Sequence, residues 1–228
     1  MVNGSIGNKV IAAFTSFNPE IGLFRDALES VVSQVDRVII VDNGSRNISD
    51  IQNLADETRS LLISFHNNRG VAAAYNSAFS EAANLGAEWV LTCDQDSVMP
   101  NDMVYRLFQG ASDAGVGHSI GIICPNFRNR TTGQAEHANL RPKIIDACIS
   151  SGSLTLVSAW KEISGFDEEM FIDGVDFEFC DRLNLSGYCV LLIPDIIMDH
   201  EIGTAELHSF MGHRFSVLNH SAFRKYYI

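Results

Sequence analysis

The sequence predicts an α/β protein built on a mostly parallel sheet flanked by helices. Three observations carry the prediction. Short apolar runs alternate with helical patterns through the first 100 residues, in the order β-α-β-α-β-α-β. Polar residues gather where those apolar runs end, which is the edge at which open α/β sheets bind ligands. No apolar run reaches 18 residues, so the 46% apolar content serves a core and not a membrane-spanning helix.

Each element has its own signal. KVIAAFTSF, residues 9–17, is a first strand, and Pro19 then opens a helix whose Leu23, Ala27, Leu28, Val31 and Val32 recur at helical spacing. RVIIVDNGS, 37–45, is a strand ending in Asp42 and a turn-forming Asn-Gly. Residues 48–58 read as a helix, and LLISFHNNRG, 61–70, as a third strand running into a polar turn. The alanine-rich stretch 71–86 is a helix closed by Gly86, and EWVLTCDQD is the fourth strand. The second half is less regular. A helix is expected at 101–114, strands of mixed direction near 119–127, 143–149 and 153–157, and a helix at 175–187. Residues 188–200 are strand-like but interrupted by Pro194. With no linker or repeat, residues 1–228 are expected to form a single domain: a ligand-binding half at 1–100, a second half at 101–204 and a tail at 205–228.

A formal charge of −12 argues against nucleic acid, whose phosphates need a cationic face. A small anionic ligand needs a local positive source instead, such as a divalent cation or helix N-termini. The five cysteines are scattered and form no CxxC pair, which argues against a disulfide framework and a zinc site. The N-terminus shows no signal-peptide pattern, so a reducing, cytoplasmic setting is expected.

Four stretches can carry chemistry. In LTCDQDS, two aspartates follow an apolar strand. An Asp-rich turn explains them equally simply, whereas an EF-hand loop does not: Met99 and Tyr105 stand where that loop needs Gly and Glu. Two hard carboxylates at a ligand edge suit Mg²⁺ or Mn²⁺, which in turn suit a diphosphate. Asp42 is either a turn former or a partner for a ribose or base. Neither GxGxxG nor GxxxxGK[ST] follows a strand, which weakens dehydrogenase and ATPase readings. NNRGVAAAYN places Gly70 at the entry of a helix of small residues, suited to tight packing or to close approach of a ligand whose phosphate Arg69 could meet. FIDGVDFEFCDR crowds Asp173, Asp176, Glu178 and Asp181. Glu178 and Arg182 make a plain i, i+4 pair, and Asp176 either favours a helix N-terminus or serves as a general base.

Taken in order, TSFNPE, VDNGS, NNRGVAAAYN, LTCDQDS, the block from ISSGSL to LNLSGY and the following DH resemble the family 2 inverting nucleotide-sugar glycosyltransferases of GT-A fold. DQDS, the SGSL…GFDEEMFID block and HSAFRKYY look most like their L-rhamnosyltransferase branch. The resemblance implies a metal-dependent transferase moving a sugar, L-rhamnose from dTDP-rhamnose, to a saccharide or lipid-linked acceptor in polysaccharide biosynthesis. It implies donor contacts at Thr15, Phe17, Asp42, Asn68, Arg69, Gly70, Asn76 and Asp94, and an acceptor side at Ser151, Gly152, Phe166 and Asp167. Mg²⁺ or Mn²⁺ would sit on Asp96 and His200, and Asp176 would be the catalytic base. The family carries two acids at that last position, whereas Val175 precedes Asp176 here. Relatives continue past the point where this chain stops at RKYYI, so it is read as truncated or short, with Phe223, Arg224, Lys225, Tyr226 and Tyr227 suited to peripheral contact with the inner face of a membrane. A sugar-phosphate nucleotidyltransferase and an inactive nucleotide-sugar-binding domain stay open as alternatives. The first normally has a basic, glycine-rich loop that TSFNPEIG does not provide.

Overall fold

The computed structural model describes residues 8–129, 135, 137 and 141–200, with the side chains of 129, 199 and 200 left out, and the backbone alone of 205–210 and 213–218. One eight-stranded sheet, in the order β3-β2-β1-β4-β7-β5-β8-β6, takes strands from both halves of the sequence. Its first part is parallel: β1 (Val10–Ser16) lies between β2 (Arg37–Asp42) and β4 (Trp89–Cys93), with β3 (Leu61–Ser64) outside β2. Helices α1 (Ile21–Val32), α2 (Ile48–Thr58) and α3 (Val71–Asn84) make the crossovers.

Beyond β4 the directions mix, as the sequence predicts. β7 (Leu154–Leu156) runs antiparallel to both β4 and β5 (Ser119–Asn129). β5 pairs parallel with β8 (Tyr188–His200), and β6 (Lys143–Ile145) closes the edge antiparallel to β8. Pro194 leaves its mark here. The β5–β8 register jumps from Pro125–Ile193 to Asn126–Ile197, so the strand bulges around the residue that cannot donate to the ladder. β9 (Ala205–Phe210) and β10 (His213–Leu218) form a separate antiparallel pair.

Strand alternation explains the two-sided core. Val10, Ala12 and Phe14 of β1 face the cluster built with α1, α2 and α4 (Met103–Ala114). Ile11 and Ala13 face the opposite cluster, built with α3, α5 (Val157–Glu162) and α6 (Val175–Leu185). Both faces being covered, the parallel strands carry near-continuous apolar runs. The sequence reading missed α5. Its six residues, VSAWKE, follow β7 directly and begin with a β-branched valine, so they look like more strand.

Candidate active site

The carboxyl ends of β1, β2 and β4 and the start of α3 meet at one edge, and hydrogen bonds tie their loops to one another. Asp42 is fully buried. Its Oδ2 accepts from the backbone N–H groups of Gly44 at 3.2 Å and Ser45 at 3.0 Å, and its Oδ1 from the Ser16 hydroxyl at 3.4 Å. Asn43 reaches across to the next loop, accepting from Arg69 N–H at 2.8 Å and donating to Gly70 O at 3.0 Å. A Cβ on Gly44, whose φ is +85°, would stand 2.9 Å from the Asn67 carbonyl carbon, so the two loops touch backbone to backbone. Phe17 is half-exposed, and its N–H donates to Gln95 Oε1 at 2.8 Å, joining the end of β1 to the DQD loop. Thr15 is half-buried at the same strand end. Asn68 turns its Oδ1 onto Gly70 N–H at 2.9 Å. Arg69 is exposed, lies over the Phe65 ring at 4.8 Å and pairs with Glu168 at 3.3 Å.

The second half approaches this edge through residues 150–153 and 165–176. Gly152 N–H donates to Thr92 O at 2.8 Å, and Thr92 N–H donates to Ser153 O at 3.0 Å, which sets the SGS turn beside the end of β4. Ser151 is 2% exposed, and its hydroxyl is a buried polar atom without a hydrogen-bond partner among the described residues. Phe166 is buried, and Asp167 turns its own loop by accepting from Glu169 N–H at 3.0 Å. Phe171 O accepts from Val71 N–H at 2.8 Å, fastening the loop to the first turn of α3.

Asp176 sits half-buried in the first turn of α6, where the helix dipole favours an anion. It lines a narrow cleft with Ser150, Ser153, Cys148, Phe166 and Phe179. Tyr75 connects it to the first half. This residue of α3 is fully buried, and its hydroxyl lies 3.1 Å from Ser150 Oγ. Burial holds the phenol well above its ordinary pKa, and the negative charges of Asp94 and Asp176 push it further in the same direction. One buried hydroxyl therefore lies within the fields of carboxylates that stand far apart in sequence. Burial, then Asp94, also holds the Cys93 thiol far up. Sequence reasoning missed Tyr75, Asn43 and Ser150. The apolar spacing of α3 marks Tyr75 as core, and only its hydroxyl hints at more.

Asp94 is half-buried and Asp96 exposed, and neither lines the Asp176 cleft. Among the described residues no group of three His, Cys, Asp or Glu side chains is arranged to hold a metal. The His200 side chain lies outside the described residues, as do Phe223, Arg224, Lys225, Tyr226 and Tyr227. Two hard carboxylates at the end of β4 still fit Mg²⁺ or Mn²⁺, which commonly take one or two protein carboxylates and complete their shell with substrate oxygens and water.

A parallel half with polar strand ends, joined to a mixed half whose cleft holds the carboxylate of Asp176, is the arrangement of a GT-A glycosyltransferase fold. Solved structures of that fold superpose well. TarS from S. aureus gives a TM-score of 0.63 at 14% identity over 86% of this chain and 37% of its own. GalNAc-T7, solved with UDP, GalNAc and Mn²⁺, gives 0.68 at 10% identity over 91% of this chain and 45% of its own. This chain thus spans less than half of either structure. The chain belongs to glycosyl transferase family 2, whose pattern matches residues 13–171, and it is a glycosyltransferase. It is 28% identical to the dTDP-rhamnosyl transferase RfbF of Shigella flexneri over 97% of this chain and 78% of that protein. It is also 28% identical, over 50% of this chain and 25% of that protein, to an N-acetylglucosaminyltransferase of Bradyrhizobium diazoefficiens. No helix among the described residues is long and apolar enough to cross a membrane.

Proposed function

We propose that the chain acts as one catalytic domain, an inverting rhamnosyltransferase that takes its sugar from dTDP-rhamnose and passes it to a hydroxyl of a saccharide, free or lipid-linked. The observation that carries the reading is geometric: Gly152 N–H donates to Thr92 O at 2.8 Å at the end of β4, and the Tyr75 hydroxyl of α3 lies 3.1 Å from Ser150 Oγ in the cleft that Asp176 lines, so the strand-end edge and the cleft adjoin. The choice of sugar rests on similarity to the Shigella protein over 97% of this chain.

In this reading the donor lies along the edge formed by Thr15, Phe17, Asp42, Asn68, Arg69, Gly70 and Asp94, with Asn76 behind it. The acceptor enters beside Ser151, Gly152, Phe166 and Asp167. Asp176 takes the proton from the acceptor hydroxyl as its oxygen attacks the anomeric carbon from the face opposite the diphosphate. The bond from that carbon to the phosphate oxygen breaks, dTDP leaves with the electron pair, and the anomeric centre is inverted. Asp96, with His200 as a second ligand, would hold Mg²⁺ or Mn²⁺; bound there, the cation would neutralise charge on the departing diphosphate. Mn²⁺ accompanies UDP in the GalNAc-T7 structure, which supports the use of a divalent cation on this fold.

Calorimetric titration tests the donor. dTDP-rhamnose is expected to bind more tightly than UDP-GlcNAc, the sugar nucleotide seen with TarS, and to lose affinity when EDTA replaces Mn²⁺. Tighter binding of UDP-GlcNAc would overturn the sugar assignment. Binding of neither would sink the nucleotide-sugar reading, and EDTA without effect would remove the metal.

A further inference from the structure

Asn76 does not have the surroundings of a side chain waiting for a ligand. Its Oδ1 accepts from Trp160 Nε1 at 3.1 Å and from Phe166 N–H at 2.8 Å. Its Nδ2 donates to Phe166 O at 2.9 Å and to Glu168 Oε1 at 3.0 Å. An amide side chain offers two donors and two acceptor lone pairs, and all four are engaged. Gly165, at φ +78°, is packed so close that a Cβ there would stand 2.6 Å from Asn76 Oδ1.

The residue gripped on both sides of its backbone is the hub of an aromatic cluster. The Phe166 ring lies 5.3 Å from Tyr75 and 5.5 Å from Phe79 of α3, and stacks on Phe179 of α6 at 4.1 Å with 21° between planes. Phe179 is one helical turn after Asp176, and both line the same cleft as Phe166. A rigid route therefore runs from the Asn76 amide through the backbone and ring of Phe166 to Phe179 and the first turn of α6.

We propose that Asn76 is a positioning residue for Asp176: its four hydrogen bonds clamp the 165–168 loop onto α3, and the Phe166–Phe179 stack transmits that clamp to the helix turn that carries the base. The proposal rests on the assignment of Asp176 as base, and it replaces direct donor contact with action through the loop. Trp160 and Glu168 become members of the same device, with Arg69 holding Glu168 from its other side.

The test follows hydrolysis of dTDP-rhamnose with Mn²⁺, water taking the rhamnosyl group and its proton going to Asp176 as dTDP leaves, in native chain, Asn76→Ala, Asn76→Asp and Trp160→Phe. A loss confined to positioning lowers kcat and leaves KM nearly unchanged. Asn76→Ala is expected to lower kcat about tenfold or more, at about one decade per 1.4 kcal/mol, with donor KM within about twofold. Trp160→Phe removes one of the four bonds and should move kcat the same way by less. Asn76→Asp sets a carboxylate against Glu168, so adding Glu168→Gln should recover part of the loss. A raised donor KM with kcat kept would mean that Asn76 touches the donor, and would overturn the proposal. So would unchanged kcat in Asn76→Ala.

Hydrogen exchange supplies an arm that needs no turnover and also serves if Asn76→Ala is too unstable to assay, since Trp160→Phe can be compared instead. Faster exchange is expected at 166–171 and in the first turns of α6. Faster exchange in the loop alone would cut the link to Asp176. If native chain fails to bind dTDP-rhamnose, the donor assignment falls while this arm still decides the clamp. If Asp176→Asn keeps full turnover, the base assignment falls, and with it the purpose of the clamp.

Discussion

The two sides of the candidate site set their polar side chains differently. At the ends of β1, β2 and β4 they hold loops together: Asp42 closes its own turn, Asn43 clamps the next loop, and Gln95 binds the end of β1. On the other side, the cleft beside α6 keeps Asp176 half-buried, and nearby Ser151 carries a buried hydroxyl without a partner among the described residues. In the function proposed above, the difference follows from what each side has to do. A group that fixes geometry is stable when buried and satisfied, because leaving a buried donor or acceptor unpaired costs about 1–3 kcal/mol. A group that exchanges a proton with a substrate has to remain within its reach.

The largest effect that can break this contrast is at Asp176. Asp176→Asn keeps the size of the side chain and removes its basicity. A positioned base contributes roughly 10²- to 10⁴-fold, which is about 2.7–5.5 kcal/mol of barrier. Turnover is expected to fall by that factor while calorimetric binding of dTDP-rhamnose and the thermal midpoint stay close to native. Native-like turnover would place the chemistry elsewhere.

Asn43 is the matching probe on the other side. Asn43→Ala leaves Arg69 N–H and Gly70 O without that partner, in a place where the two loops already touch. A loss of roughly 1–3 kcal/mol is expected from a urea melt, together with weaker donor binding as the 67–70 loop loosens. Lost turnover at saturating donor, with stability intact, would blur the division between the halves.

The sequence makes these halves legible to different depths. The strand-end rule collects Thr15, Asp42, Asn68 and Asp94 at one edge, because parallel strands all terminate there. The mixed direction of the second half also follows from its irregular pattern, and Pro194 from its missing donor. What stays hidden is every contact that depends on distant partners. Asn76 reads as a donor contact, and nothing local reveals that its amide bonds residues 84 to 92 positions away. Tyr75 reads as core until its hydroxyl meets Ser150. Asn43 reads as half of an Asn-Gly turn, and nothing local reveals that it holds the loop at 69–70. Periodicity reports burial, whereas polar pairing across the sheet depends on which loops the topology makes neighbours.

The smallest expected effect tests whether the first half can be weakened without touching chemistry. Glu20 caps α1, accepting from Gly22 N–H at 2.9 Å and Leu23 N–H at 2.8 Å, although Pro19 is the start signal visible in the sequence. The Leu23 N–H, then that of Gly22, holds the carboxyl below its ordinary value of 4.5. A carboxyl whose folded pKa is depressed binds protons more readily in the unfolded chain. Its contribution is therefore present above the unfolded pKa and is lost as pH falls through the folded one. Because Glu20 is exposed, the contribution is small and screened by salt. Glu20→Gln should accordingly melt slightly below native near neutral pH, and the gap should close in acid, once both forms of the cap are neutral. Turnover should stay the same throughout, since α1 packs on the face of the sheet opposite α3 and α6. A gap that persists undiminished in acid would mean that the side chain caps by shape and not by charge, and a change in turnover would mean that strain at α1 reaches the cleft.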